Sequence, residues 1–309
     1  MPVNQAVLLL AHGSRNPVAR AEYGNVVREV SLRLPGHRVE FSVLEFPGDD
    51  LKSIADGVRA CVEAGAERVI ALPYFLFVAG HVGEDLPGEL AAAAAGYPEL
   101  TLAYQPPLGV DPAVVEVLAD RVNGVLPQPP ADDGAAVVLV GAGTSDPLAN
   151  ADLYRAARLL WERRRSEPVE VAFVSLTEPR LDEVVRRCIV LGARRLVVVP
   201  YFLNTGVLSR RIETQLADCR QQYQPLETTL TPEMGLHPRL LDLLAERARA
   251  ALAAPRTGLA LPPCSGGGAW ACWLSPSNQE PEAPLGVTTN QAIAYDLHNR
   301  RPGSSGGTR

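Results

Sequence analysis

The sequence predicts an α/β protein of two tandem similar domains, each a four-stranded parallel sheet with helices on both faces. Three observations carry this. Short apolar runs alternate with longer amphipathic ones through residues 5–252. A single Pro- and Asp-rich stretch interrupts the alternation midway, and short words of the first half return in the second at a nearly fixed distance. Strands that alternate with helices pair in parallel, because a helical crossover returns the chain to the same sheet edge.

Residues 6–10 (AVLLL) are apolar without alternation, which suits a strand covered on both faces. A helix follows over 17–34, a strand over 39–45, a helix over 51–64 and a strand over 68–72. The first half closes with a helix around 86–95, a strand at 100–104 and a helix at 112–122. Residues 126–134 (LPQPPADDG) read as a linker. The pattern then restarts: strand 136–140, helix 147–164, strand 169–174, helix 181–191, strand 195–199, helix 207–222, a weak strand at 227–230 and helix 238–252.

The restart is a repeat. Pro73-Tyr74-Phe75-Leu76 returns 127 residues later as Pro200-Tyr201-Phe202-Leu203, and Gly65-Ala66-Glu67-Arg68-Val69 returns at the same distance as Gly192-Ala193-Arg194-Arg195-Leu196. Gly13-Ser14-Arg15-Asn16-Pro17 has a weaker echo 130 residues on, in Gly143-Thr144-Ser145-Asp146-Pro147. This is an internal duplication, with halves expected at 1–125 and 135–253. Residues 254–309 are rich in Gly, Pro, Ser and Asn and lack a helical period, so disorder is expected there. Cys264 and Cys272, with Trp270 and Trp273, are too few for a closed metal site.

A net charge of −6 argues against a nucleic-acid binder, which is usually basic. The charge is uneven: residues 1–130 carry 9 Lys and Arg against 16 Asp and Glu, whereas residues 131–258 carry 17 against 16. Cys61, Cys188 and Cys219 fall in helical segments and are expected as buried free thiols, which fits a reducing cytosol. The N-terminal run lacks a basic region and is too short for a signal peptide, and no apolar stretch spans a bilayer. A cytoplasmic protein with no membrane partner is expected. The chain has no G-x-x-x-x-G-K-[ST] loop for ATP and no G-x-G-x-x-G after the first strand for a nicotinamide, and neither half has a G-x-S-x-G elbow for a serine hydrolase.

His12 follows the first strand, Glu45 closes the second and His81 lies after the third. Ligands of an open parallel sheet bind at the carboxyl ends of its strands, so three neighbouring strands would bring these groups together. Two imidazoles and a carboxylate suit a borderline divalent ion such as Co²⁺, Fe²⁺ or Ni²⁺, and an open coordination position lets the ion leave again. A lone histidine would be read as a local cap or packing group. Two of five histidines on equivalent strand-end loops favour ligands. Across the repeat, His12 aligns with Ala142, Glu45 with Ser175 and His81 with Leu208, so the fold-making words recur and the ligand candidates do not. One metal site per chain is expected.

His12-Gly13-Ser14-Arg15, Leu44-Glu45, and the run from Pro73-Tyr74-Phe75-Leu76 through Gly80-His81 to Asp85-Leu86-Pro87 resemble the signature of the sirohydrochlorin chelatases. These are class II, ATP-independent enzymes that place cobalt or iron in sirohydrochlorin, and the family includes long forms with two tandem halves. The resemblance covers residues 5 to about 250. It implies a chelatase-like fold, a tetrapyrrole in the cleft between the halves, and metal binding at His12, Glu45 and His81. It also implies Co²⁺ or Fe²⁺ as substrate, sirohydrochlorin as partner, and a place in cobalamin or sirohaem biosynthesis. A monomer with two pseudo-symmetric halves would suffice.

A ring bearing many carboxylates should meet cations and backbone N–H groups. Arg210 and Arg211 stand where the first half has Gly83 and Glu84, and Ser14 and Arg15 sit at a helix start. A solvated helix face accounts for the two arginines equally well. Glu84 and Asp85 can pass ions or protons, although an acidic first turn is also what the helix dipole favours. Two other functions stay open: a non-catalytic metal or tetrapyrrole carrier, and a ferrochelatase for another tetrapyrrole.

Overall fold

A computed structural model describes residues 4–77, 81–126 and 134–254, with backbone alone at 81–84. The predicted linker and tail, including Cys264, Cys272, Trp270 and Trp273, fall almost wholly outside these residues. The elements are β1 (Gln5–Ala11), α1 (Pro17–Arg33), β2 (Arg38–Val43), β3 (Lys52–Ser53), α2 (Ile54–Glu63), β4 (Arg68–Pro73), α3 (His81–Ala94), β5 (Thr101–Tyr104) and α4 (Pro112–Asn123) in the first half. The second half has β6 (Ala135–Gly141), α5 (Pro147–Arg164), β7 (Val169–Phe173), α6 (Leu181–Val190), β8 (Arg195–Pro200), α7 (Val207–Gln222), β9 (Glu227–Leu230) and α8 (Pro238–Ala253).

Both sheets are parallel, in the orders β3-β2-β1-β4-β5 and β7-β6-β8-β9. Removing β3 leaves the same order in each. The first sheet is therefore five-stranded, not four-stranded as the sequence predicts. Lys52 and Ser53 pair with Ser42 and Val43 before the helix begins. Ser53 stops the helix from starting earlier: its hydroxyl accepts the Asp56 N–H at 3.1 Å as the N-cap. Lys52 Nζ reaches buried Glu40 at 2.5 Å, which holds the short strand to the edge.

The third helix begins at His81 rather than near Leu86, and Pro87 lies inside it.

β1 after Gln5, and β6, are apolar because helices cover both faces. On the outer faces, Ile54, Val58 and Leu90 pack on the first sheet, and Val184, Val185 and Ile212 on the second. On the inner faces one cluster runs through both halves, joining Tyr23 and Val26 of α1, Val114 and Leu118 of α4, Leu153 and Leu160 of α5, and Leu240 and Leu244 of α8. The described residues form one compact unit. Ion pairs repeat across this interface: Arg33 Nε lies 2.8 Å from Asp242 Oδ1, and Arg163 Nε 2.6 Å from Glu116 Oε1.

Cys61, Cys188 and Cys219 are buried free thiols, as expected. Burial pushes the Cys61 thiol up to about 12 and Cys188 to about 11. No described helix is long and apolar enough to cross a membrane.

Candidate metal centre

β1 lies between β2 and β4, and the connection leaving β1 runs to one side, toward β2, while that leaving β4 runs to the other, toward β5. Ligand sites of open parallel sheets form at such a switch point. The pairing of β1 with β2 continues beyond the strands: Leu44 N–H donates to Ala11 O at 2.9 Å and Glu45 N–H to His12 O at 2.7 Å. His12 and Glu45 are thereby set side by side.

Gly13 turns the chain away with φ 102°. A Cβ there would lie 1.9 Å from the Glu45 carbonyl oxygen, so only glycine permits this approach. His12 Nε2 stands 3.8 Å from Glu45 Oε2, and both side chains are open to solvent, at 47% and 38% exposure. That is longer than a hydrogen bond. It matches the roughly 3–4 Å between two donors that each lie about 2.1 Å from a shared ion.

His81 is the first residue of α3, on the connection that leaves β4, the strand beside β1. Its side chain, like that of Glu84, lies outside the described residues. Among the described residues no three His, Cys, Asp or Glu side chains converge on one point. The first half therefore presents a described pair, with the backbone of the third candidate on the neighbouring connection. Asp85 is exposed on α3.

Ser14 Oγ accepts the Asn16 N–H at 3.0 Å, and Asn16 in turn caps α1 through the Val18 N–H. The hydroxyl thus braces the turn with its acceptor side and keeps its own proton to donate. Arg15 is exposed, and its guanidinium carbon lies 4.4 Å from the centre of the Phe46 ring, which steers it toward the Glu45 loop.

Sequence reasoning missed Arg20. Its Nη1 donates to Ser14 O at 3.0 Å and Phe46 O at 2.9 Å, and Nε and Nη2 bind Asp50. An arginine one turn into a helix carries no motif, so its role is visible only in three dimensions.

The second half repeats the backbone without the three candidate residues. Ser175 N–H donates to Ala142 O at 2.9 Å, as Glu45 does to His12, and Gly143 has φ 82°. Ala142, Ser175 and Leu208 hold the three positions. Arg210 and Arg211 are exposed where the first turn of α7 passes into the second, with no ion pair among the described residues and no acidic residue in the first turn. The segment entering α7 is fixed to the first half. Glu22 of α1 accepts from Asn204 Nδ2 at 3.1 Å, Thr205 N–H at 3.0 Å and Thr205 Oγ1 at 2.9 Å.

The repeated Pro-Tyr-Phe-Leu words serve this junction. Tyr74 and Tyr201 are buried, and each bonds through its N–H to the central strand of its sheet, at Leu10 O and Val140 O. Tyr201 Oη donates to Gly109 O at 3.3 Å across the halves, and the Phe77 ring packs on Tyr201 with centroids 5.1 Å apart. A Cβ at Gly235 would come within 2.6 Å of Tyr74 Oη.

Known proteins share this architecture. The chain is 37% identical over 254 residues to a sirohydrochlorin cobaltochelatase of Priestia megaterium, covering 80% of each chain. It is 29% identical over 250 residues to a sirohydrochlorin ferrochelatase of Bacillus subtilis, covering 80% of this chain and 92% of the other. Among solved structures, B. subtilis SirB with Fe³⁺ superimposes with a TM-score of 0.71 at 29% identity, covering 81% of this chain and 96% of that one. SirB of B. subtilis subspecies spizizenii in complex with cobalt gives 0.68 at 28% identity, covering 82% and 97%. The model of the CbiX family matches twice, over residues 6–125 and 136–251, one match for each sheet with its helices, so this chain belongs to the CbiX family.

Proposed function

We propose that this chain inserts a divalent metal ion, Co²⁺ or Fe²⁺, into sirohydrochlorin without ATP, for cobalamin or sirohaem biosynthesis. The observation that carries the reading is the His12–Glu45 pair, 3.8 Å apart and open to solvent, in a chain whose relatives are named for this reaction. The ion is a substrate. His12, Glu45 and His81 receive it in the half spanning 1–125, and the half spanning 135–253 grips the ring. The reading assigns no role to residues 254–309. It takes the protein as a cytoplasmic monomer that needs neither nicotinamide, nucleic acid nor membrane.

Insertion sets three tasks: the ion is held partly desolvated, two pyrrole N–H protons are removed, and the ring is fixed over the ion. Neutral imidazoles with a carboxylate serve the first. As the ring nitrogens replace His12 on the ion, His12 Nε2 is freed to accept one pyrrole proton. It passes that proton to water, because the imidazole is half exposed. His81 takes the second proton by the same chemistry. Glu45 offsets the charge of the ion and of a protonated imidazole.

Arg15, Arg210 and Arg211 suit the ring carboxylates, and Ser14 retains a proton to donate. Leu176 and Val207, both largely exposed at the same edge of the second sheet, offer apolar surface to a flat ring.

The test mixes protein, sirohydrochlorin and one metal ion without ATP and follows the change in ring absorbance. Turnover in excess of the protein concentration is expected. His12→Ala and His81→Ala should each lose at least about tenfold in kcat. Arg210→Ala with Arg211→Ala should raise the KM for sirohydrochlorin several-fold and leave metal binding unchanged. Parental rates in both histidine variants would overturn the reading. Conversion that stops at one ring per chain would make the protein a carrier.

A further inference from the structure

We propose that Arg20 is a positioning residue that sets the spacing of His12 and Glu45 by tying together the two loops that carry them. This rests on the reading of that pair as the groups that hold the ion.

The Arg20 side chain is only 16% exposed. One nitrogen, Nη1, donates to the carbonyl two residues past His12, Ser14 O at 3.0 Å, and to the carbonyl next to Glu45, Phe46 O at 2.9 Å. Asp50 holds the other side through Nε, at 2.8 and 3.1 Å, and through Nη2. Phe46 itself is in the left-handed region, φ 55°, which is costly for a residue with a Cβ. The Arg20 bond fixes the direction of its carbonyl.

The second half supplies an internal control. Asn150 stands 130 residues after Arg20, at the same place in its helix. Its Nδ2 donates to Thr144 O at 2.7 Å and its Oδ1 accepts the Thr144 N–H at 3.0 Å. Thr144 corresponds to Ser14, so a bond to this first loop is a requirement of the fold. Leu176, the counterpart of Phe46, also has positive φ, 50°, and Asn150 makes no bond to it among the described residues. The bridge to the second loop thus occurs in the half that has a histidine and a glutamate to position, and is absent where alanine and serine replace them.

Arg20→Asn gives the first half the solution used by the second, keeping the clasp on the Ser14 loop and releasing the Phe46 loop. In the full chain the expected outcome is a parental circular dichroism spectrum and about tenfold weaker Co²⁺ binding, the size usual for groups that orient metal ligands. The visible bands of bound Co²⁺ should change. The KM for the metal should rise while that for sirohydrochlorin stays within about twofold. Asp50→Asn, which loosens the guanidinium from its far side, should shift Co²⁺ affinity in the same direction by a smaller factor. It decides the question if Arg20→Asn does not fold. Parental Co²⁺ affinity with unchanged bands in a folded Arg20→Asn, or in Asp50→Asn alone, would overturn the proposal. Failure of the underlying reading looks different: Co²⁺ binding would then be insensitive to His12→Ala.

Discussion

At Gly13 an added Cβ would lie 1.9 Å from the Glu45 carbonyl oxygen, and at Gly143 an added Cβ would lie 2.3 Å from the Ser175 carbonyl oxygen. Both glycines have positive φ. Alanine at either position should therefore destabilise the fold by about 2 kcal/mol or more, through backbone strain and a contact that forces the loops apart. The two changes should differ in function. Gly13→Ala displaces His12 from Glu45 and should weaken Co²⁺ binding, while Gly143→Ala displaces residues with no ligand and should leave it intact. Thermal melts with Co²⁺ titrations of both variants check this, and equal loss of Co²⁺ binding in both would contradict it. At this scale the sequence was informative where a residue sits next to a strand end. His12 and Glu45 are neighbours because the ladder of β1 and β2 continues through them. Arg20 was not legible, since the two bonds that tie the loops go to backbone carbonyls, which leave no mark in the amino-acid code.

Among the elements, β3 rests on a buried carboxylate. Glu40 is 6% exposed, with Arg38 Nε at 2.6 Å and Lys52 Nζ at 2.5 Å. Burial alone would raise its pKa, but the hydrogen bonds from Lys52 and Arg38 outweigh it and hold the carboxyl below its ordinary value of 4.5. A depressed folded pKa contributes stability that is full above the unfolded value and is lost as pH falls through the folded one. Glu40→Gln should cost about 1–2 kcal/mol at neutral pH, less than for a fully enclosed pair because Lys52 and Arg38 are half exposed. The difference from the parent should shrink below the ordinary carboxylate range. Urea melts at neutral pH and at about pH 3 measure it, and a gap of the same size at both would contradict the assignment. The order of strands and helices was legible, because apolar runs and amphipathic runs differ in period. The two-residue β3 was not: a strand that short has no period, and Ser53 as an N-cap was the one local sign of where α2 begins.

The whole molecule is two copies of one strand order joined by a shared core. The repeated words made the duplication visible, but not how the copies meet. One sign was present in α4, where Val114, Val115, Val117, Leu118, Ala119 and Val122 are all buried. Apolar groups on so much of a helix mean that it is covered on more than one side, here by β8 of the second sheet and by α5 and α8. The duplication also frames the central claim. Both sheets present the same edge, yet only the first carries His12, Glu45 and His81, while the second has Ala142, Ser175 and Leu208. A visible-absorbance titration of the full-length chain with Co²⁺, with His12→Ala beside it, tests this most directly. One ion bound per chain, and its loss in His12→Ala, is the expected result. Two ions per chain, or an unchanged titration in His12→Ala, would contradict the account.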